Sequence, residues 1–81
     1  MKNHITNKEL TIIAKNLGYI KVNEQCHGQA IFYNKKSKSY ISYDIDSHNG
    51  GFWKKATSIK NLASRSTREG TYDIELKRVG D

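Results

Sequence analysis

The chain contains few cysteines, few acidic residues and no long apolar run, and each shortage excludes a class of protein. Cys26 is the single cysteine among 81 residues, so no disulfide can form within the chain. No segment approaches the roughly 18 consecutive apolar residues of a membrane-spanning helix, and residues 1–4 lack the apolar run of a signal peptide. We therefore expect a single domain, 1–81, with a modest core and no membrane anchoring. If such a protein leaves a cell, something outside this chain exports it.

Acidic residues are scarce relative to basic ones. The chain contains eight Asp and Glu residues and 14 Lys and Arg residues, which gives a net charge of +6 and a pI near 9.6. This balance suits a polyanionic partner, either nucleic acid or an acidic protein. An anionic membrane is the weakest option because no basic amphipathic helix is visible. A solvated basic surface without a partner fits the charge equally well, so charge alone does not identify the partner.

Ligands for a metal ion are also few. A zinc site would have to combine Cys26 and His27 with His48 and His4, and no second pair stands at ligand spacing. We expect no metal and no other cofactor, and we expect Cys26 to be a small, partly buried side chain.

The sequence from 6 to 18 predicts one helix. Thr6 and Glu9 have the spacing of a capping box. Apolar residues follow at helical spacing, namely Leu10, Ile13, Ala14 and Leu17. Gly18 then provides a stop. The helix should run from Asn7 to Leu17 and pack one face on a sheet.

Runs of strand-forming residues follow, and they predict an antiparallel sheet. The runs are 30–33, 40–43, a third that opens at Phe52, and 71–76. The polar residues 34–39 should connect the first two runs as a hairpin. Residues 19–22 suit either a short strand or an extended connection, and residues 57–63 either a short helix or a loop. The expected class is α+β, with a curved sheet of about four strands.

A histidine near carboxylates follows the second run. If the strand continues, Asp44, Asp46 and His48 share one face of it. His48 can accept or donate a proton near neutral pH, and a carboxylate beside it could orient the imidazole ring. A polar turn with a surface histidine is the alternative reading, which this motif alone does not exclude.

Two arginine motifs lie further along the chain. Arg68 offers a guanidinium group to phosphate oxygens. Gly70 would let the backbone approach a ligand, and Thr71 adds a hydroxyl donor. Arg78 stands shortly before Asp81, which could hold it by an ion pair. An ordinary basic loop and a frayed, charged C-terminus are the alternatives.

Other side chains near these motifs are candidates for contact with a substrate. Lys54 and Lys55 would point to opposite sides of a strand, so one of them should face the histidine. Trp53 is expected in the core, and the tyrosines are expected to divide between core packing and base stacking. The tyrosines concerned are Tyr33, Tyr40, Tyr43 and Tyr72. His27 and Gln29 either line the cleft or belong to a turn.

Taken in order, these motifs resemble those of a family of bacterial polymorphic-toxin C-terminal domains called novel toxin 21. The resemblance rests on Ser42, Asp44 and His48, on Arg68, Gly70 and Thr71, and on Arg78 and Asp81. It extends over nearly the whole chain, with Ala30 as a departure where relatives carry proline. The family pattern also includes a lysine upstream of the histidine motif, for which the candidates are Lys35, Lys36 and Lys38.

The resemblance implies an RNase of barnase/EndoU/colicin/RelE-like fold, in which a helix packs on a small curved sheet. It further implies a larger secreted carrier protein used in contact-dependent growth inhibition, and delivery into the cytoplasm of target bacteria. A cognate immunity protein is implied as well, and the basic charge of this chain predicts that it is acidic. By analogy with toxins of this fold, we expect the RNA to be a tRNA.

We therefore interpret the chain as a metal-independent endoribonuclease in which a 2′-OH attacks the adjacent phosphate and leaves a 2′,3′-cyclic phosphate. The predicted catalytic residues are His48 as the acid/base, with Arg68, Thr71, Asp44, Lys54 and Arg78. The predicted substrate-binding residues are Lys55, Asp46, Ser42, Asp81, His27, Gln29 and Tyr43. Two alternatives stay open: a non-catalytic nucleic-acid-binding module that uses the same basic cleft, and a metal-dependent DNase.

Overall fold

The structure, a computed structural model, describes residues 5–44, 51–64 and 69–80. Its elements in chain order are α1 (Asn7–Asn16), β1 (Ile20–Cys26), β2 (Gln29–Asn34), β3 (Ser39–Tyr43), β4 (Trp53–Ala56), α2 (Ile59–Leu62), β5 (Thr71–Tyr72) and β6 (Arg78–Gly80). The strands form one antiparallel sheet in which each strand pairs with the next along the chain. The α+β class is therefore as predicted. No helix among the described residues is long and apolar enough to cross a membrane.

Helix α1 begins where the sequence predicts it to begin. Glu9 N–H donates to Thr6 Oγ1 at 3.1 Å, and Thr6 N–H donates to Glu9 Oε1 at 2.9 Å, which completes the capping box. The hydrogen bonds from the Thr6 backbone and hydroxyl favour the charged carboxylate, so they hold the pKa of Glu9 below its ordinary value. The helix ends at Asn16, one residue earlier than predicted. Gly18, with φ of +92°, adopts the left-handed conformation typical of such an ending.

Two hairpins set the register of the first three strands. His27 (φ +50°) and Gly28 (φ +78°) connect β1 to β2, and two successive residues with positive φ are what a tight two-residue turn requires. The segment containing His27 is thus a turn. β2 and β3 form the predicted hairpin, with residues 35–38 as the turn between them, and they pair Ile31 with Ser42.

The sheet carries a helix on each face. Helix α1 covers one face, with a core of Leu10, Ala14, Tyr19, Ala30, Phe32, Ile41 and Trp53. Helix α2 covers part of the other face, with a smaller core of Cys26, Ile31, Ala56 and Leu62. Cys26 is a buried free thiol. Trp53 is fully buried, which confirms its predicted place in the core, and its Nε1–H donates to the carbonyl of Ile74 at 3.2 Å.

The segment 57–63, which the sequence left open between helix and loop, contains the short helix α2. Ser58 caps it, since Asn61 N–H donates to Ser58 Oγ at 3.1 Å. The apolar residues Ile59 and Leu62 then face the smaller core.

The last described segment differs most from the predicted fold. β5 stops at Tyr72, so the strand predicted for 71–76 is wrong. Asp73 Oδ1 accepts hydrogen bonds from the N–H groups of Glu75 and Lys77, both at 2.9 Å, and this side-chain turn reverses the chain. β6 then pairs with β5, so the alternative of a frayed C-terminus is wrong as far as Gly80. The sheet consequently has six strands, more than predicted, while the barnase-like fold stays a prediction.

Replacing Thr6 with alanine should lower the free energy of unfolding by about 1 kcal/mol, because Glu9 N–H loses its acceptor at the start of α1. Urea denaturation followed by circular dichroism measures the change. Thr57→Ala is the matched control, since Thr57 is exposed and lies outside both helices, and it should change the unfolding free energy by less than about 0.5 kcal/mol. Equal losses in the two variants would contradict the capping role.

Candidate active site

A row of three polar residues crosses the sheet at β3, β4 and β5. The register pairs Ser42 with Lys54 and Lys54 with Thr71. Residues directly opposite each other in an antiparallel pair point to the same face, so these side chains lie side by side. We call Ser42, Lys54 and Thr71 the polar row. Ile31 flanks it on β2 and Gly80 on β6.

The polar row is buried although its members are polar. Ser42, Lys54 and Thr71 are 0%, 5% and 8% exposed. Within the described part of the chain, Ser42 Oγ has no hydrogen-bond partner, and the Lys54 ammonium group makes no hydrogen bond or ion pair with its surroundings. A lysine held in this way loses part of its hydration, and no hydrogen bond or ion pair with the described residues offsets that loss. The arrangement therefore favours the binding of an anion at Lys54.

Asp44 lies next to the polar row, immediately after β3. It is 6% exposed, and its N–H donates to the carbonyl of Phe52 at 2.9 Å. His48 and Asp46 fall outside the described residues, so their common face with Asp44 stays a prediction. In the parts of the chain that the structure does describe, no three His, Cys, Asp or Glu residues form a group that could hold a metal ion.

The second and third sequence motifs meet at Gly70. A Cβ atom on Gly70 would lie 2.8 Å from Arg78 Nε and 2.8 Å from the carbonyl oxygen of Gly80. The Arg78 side chain therefore passes over Gly70, the residue before Thr71, and Arg78 is opposite Tyr72 in the β5–β6 pair. The sequence predicted that this glycine opens space for a ligand, but in the structure the space is filled by an arginine. Arg68 and Asp81 fall outside the described residues.

Lys55 and Tyr43 lie on the face that packs against α1, away from the polar row. Lys55 Nζ is 3.7 Å from Glu69 Oε1 and 5.3 Å from the centre of the Tyr72 ring. The Lys55 carbonyl also accepts a hydrogen bond from Glu69 N–H at 2.7 Å. The Tyr43 ring packs against Phe52, with 5.0 Å between ring centres. Lys54 and Lys55 thus point to opposite faces, as predicted, and Lys54 is the one in the polar row.

His27 and Gln29 lie near β1 and β2. His27 Nε2 is 3.1 Å from the carbonyl oxygen of Ala63, at the end of α2. Gln29 is half-buried and precedes Ile31, so continuation of the β2–β3 register brings it level with Asp44. The predicted site residues are therefore divided. Ser42, Lys54 and Thr71 are side by side, Asp44 follows Ser42 by two residues, and Gln29 lies at the same end of the sheet. Lys55 and Tyr43 are on the opposite face, and Arg78 is opposite Tyr72 and passes over Gly70.

The sequence motifs did not indicate Glu69 as the partner of Lys55. The pair becomes visible only when β4 and the segment before β5 lie side by side, because Glu69 N–H bonds to the backbone of Lys55. A carboxylate between an arginine and a glycine gave no signal of its own. Knowledge of the β4–β5 register would have been needed to find it.

Comparison with known proteins gives one family and two relatives. Residues 12–81 match the model of the family described as novel toxin 21. The chain is 39% identical over 80 residues to the "16S rRNA endonuclease CdiA" of Enterobacter cloacae subsp. cloacae. That alignment covers 91% of this chain and 2% of the relative, so the chain corresponds to a small segment of a much longer protein. A chain of the solved "CdiA-CT/CdiI toxin and immunity complex from Enterobacter cloacae" matches with a TM-score of 0.68 and 38% identity, over 95% of this chain and 100% of that one.

Gly70→Ala should lower the free energy of unfolding by about 2 kcal/mol, because alanine is strained at a φ of +116° and its Cβ would meet Arg78 and the Gly80 backbone. Chemical denaturation measures the loss. Gly80→Ala is the matched control, since its Cβ would meet nothing within 4 Å. If both glycine variants are as stable as the unsubstituted protein, Arg78 does not pass over Gly70 as described.

Proposed function

Because the chain belongs to the novel toxin 21 family, we propose that it is a toxin that cleaves RNA and that its polar row binds the phosphate group at the cleaved bond. The observation that carries this proposal is Lys54, a residue that is 5% exposed and whose ammonium group makes no hydrogen bond or ion pair within the described part of the chain. A phosphate oxygen can accept hydrogen bonds from that ammonium group and from the hydroxyls of Ser42 and Thr71. A charge interaction is much stronger in such a low-dielectric site than in water.

Arg78 extends the positive site toward solvent. Arg78 is exposed, whereas Lys54 is 5% exposed. The Arg78 side chain passes over Gly70, the residue before Thr71, and we propose that it forms the rim of the site while Lys54 forms the floor. A guanidinium group can bind two phosphate oxygens at once. The negative charge of an RNA backbone would thus meet a graded positive field, first at the rim and then at the floor.

The proposed reaction uses these groups and the 2′-hydroxyl of the substrate. The 2′-oxygen forms a new bond to phosphorus, and the bond from phosphorus to the 5′-oxygen breaks. The products are a 2′,3′-cyclic phosphate and a 5′-OH end. A base must take the proton of the 2′-OH, and an acid must give a proton to the departing 5′-oxygen. We assign both proton transfers to His48, which takes the proton of the 2′-OH and later gives a proton to the 5′-oxygen. We propose that Asp44 orients the His48 imidazole ring, while Lys54 and Arg78 stabilise the additional charge on the phosphorane.

Ribosomal RNA is the substrate that the comparisons favour. The relative with 39% identity is named a 16S rRNA endonuclease, and the family resemblance alone had pointed to tRNA only by analogy of fold. We therefore propose cleavage of 16S rRNA. The tRNA expectation stays a prediction without support from a relative, and the same cleavage assay can include tRNA as a second substrate.

The relatives also support the proposed biological setting. The solved relative is a toxin in complex with an immunity protein, and the long CdiA relative contains the matching segment as a small part of its length. We propose that this chain is carried by a larger surface-displayed protein, enters the cytoplasm of a target bacterium and is neutralised in the producing cell by an acidic immunity protein. The net charge of +6 would steer such a partner toward it.

Lys54→Met should abolish cleavage of 16S rRNA and leave the protein at least as stable as before. Methionine keeps an unbranched apolar stem, and removing an ammonium group that has no partner among the described residues removes its desolvation cost. Gel analysis of 16S rRNA incubated with the purified variant measures cleavage, and thermal unfolding measures stability.

Lys77→Met is the matched control for this variant, because Lys77 is exposed and its ion pair with Glu75 is solvated. It should cleave like the unsubstituted protein. His48→Ala should bind RNA without cleaving it, whereas a mere binding module would show no cleavage in any variant. A folded Lys54→Met protein with undiminished cleavage would remove Lys54 from the mechanism.

A further inference from the structure

The turn between β2 and β3 is a basic surface that the proposed reaction does not use. Its residues 35–38 are exposed and include Lys35, Lys36 and Lys38. None of these lysines makes an ion pair or a side-chain hydrogen bond among the described residues. The sequence from 25 to 43 contains no Asp or Glu, so no carboxylate near them along the chain offsets their charge. We call these three lysines the lysine turn.

Hydrogen bonds from neighbouring residues fix the backbone of the lysine turn. Ser37 N–H donates to Asn34 Oδ1, and Asn34 Nδ2 donates to the Gly18 carbonyl, both at 2.9 Å. The hydroxyls of Ser37 and Ser39 are 2.6 Å apart, and the Tyr19 hydroxyl is 2.7 Å from that of Ser39. These bonds fix the backbone that carries the three lysines, which lowers the backbone entropy lost when a partner binds.

A pair of aromatic rings stands at the base of the same turn. Tyr33 and Tyr40 are opposite each other on β2 and β3, with 4.5 Å between ring centres. Tyr40 is two residues from Ser42 on the same strand, so both side chains point to the face that carries the polar row. Two residues of a strand span about 7 Å. Basic groups, aromatic rings and the polar row thus follow one another along β3.

We propose that the lysine turn and the Tyr33 ring form an RNA-docking surface that binds the substrate beside the cleaved bond. The lysines would contact backbone phosphates, and the ring would stack on an unpaired base. Positive charge alone would also suit an acidic protein, but exposed lysines next to half-buried aromatic rings, on the face of the phosphate site, fit an RNA strand better. This inference rests on the proposed RNase function and assigns to the turn a positioning role, not a chemical one.

The test compares two triple variants with the same loss of charge. The first is Lys35→Gln, Lys36→Gln and Lys38→Gln, and the control is Lys8→Gln, Lys21→Gln and Lys77→Gln, whose lysines are exposed elsewhere on the molecule. The binding probe is a single-stranded RNA 20-mer with 2′-O-methyl groups, which cannot undergo attack by the 2′-oxygen. Fluorescence anisotropy at several salt concentrations gives the affinity and its salt dependence, and cleavage of 16S rRNA gives kcat and KM.

Loss of three phosphate contacts should reduce the slope of log affinity against log salt by about 2. We expect the turn variant to raise KM about tenfold and to leave kcat within about twofold, while the control changes both by less than about threefold. Tyr33→Leu should weaken binding of the probe about fivefold, whereas Tyr33→Phe, which keeps the ring, should not.

The outcomes separate the docking surface from the function. If the unsubstituted protein does not cleave RNA, the proposed function fails and the docking surface fails with it. If it cleaves RNA and the turn variant matches the control in KM and salt slope, the function stands and the docking surface is refuted. That second result would leave the turn as a surface for an acidic protein.

Discussion

The register of β4 between β3 and β5 is the constraint on which the rest of the structure depends. Successive residues of a strand point to opposite faces, so the four residues of β4 each receive a different environment. Trp53 enters the core beneath α1, Lys54 enters the polar row, Lys55 meets Glu69, and Ala56 packs beneath α2. A shift of one residue would exchange these environments. Trp53 would then lie on the face of the polar row, and Lys54 would point into the apolar core beneath α1.

Lys54 in the polar row affects stability and anion binding in opposite directions. A lysine that is 5% exposed and without a partner among the described residues is expected to lower the stability of the free protein. The same burial increases the attraction between its charge and a phosphate group. The chain is small, so it has little core to offset such a group. The capping box of α1, the turn at Asp73 and the bonds beneath the lysine turn all hold backbone in place with local hydrogen bonds. They supply stability away from the site.

Local patterns predicted the local structure, and the rest needed contacts between distant residues. The Thr6 capping box and the hairpin at 34–39 depend on neighbouring residues, and both are confirmed. The strand predicted for 71–76 failed because the Asp73 carboxylate captures two backbone N–H groups, an effect that the alternation of side chains does not reveal. In the site, alternation predicted that only one of two neighbouring lysines would face it. The structure identifies that lysine as Lys54, because Lys54 pairs with Ser42 and Thr71.

The central claim is that a lysine in the polar row, an arginine at its rim and a proton-transferring histidine cleave RNA through attack by its own 2′-oxygen. The most direct measurement is the chemistry of the cut ends after purified protein has acted on 16S rRNA in excess EDTA. The account predicts undiminished cleavage, with a 2′,3′-cyclic phosphate on one fragment and a 5′-OH on the other. Fragments that carry a 5′-phosphate, or cleavage that disappears when EDTA is added, would contradict it.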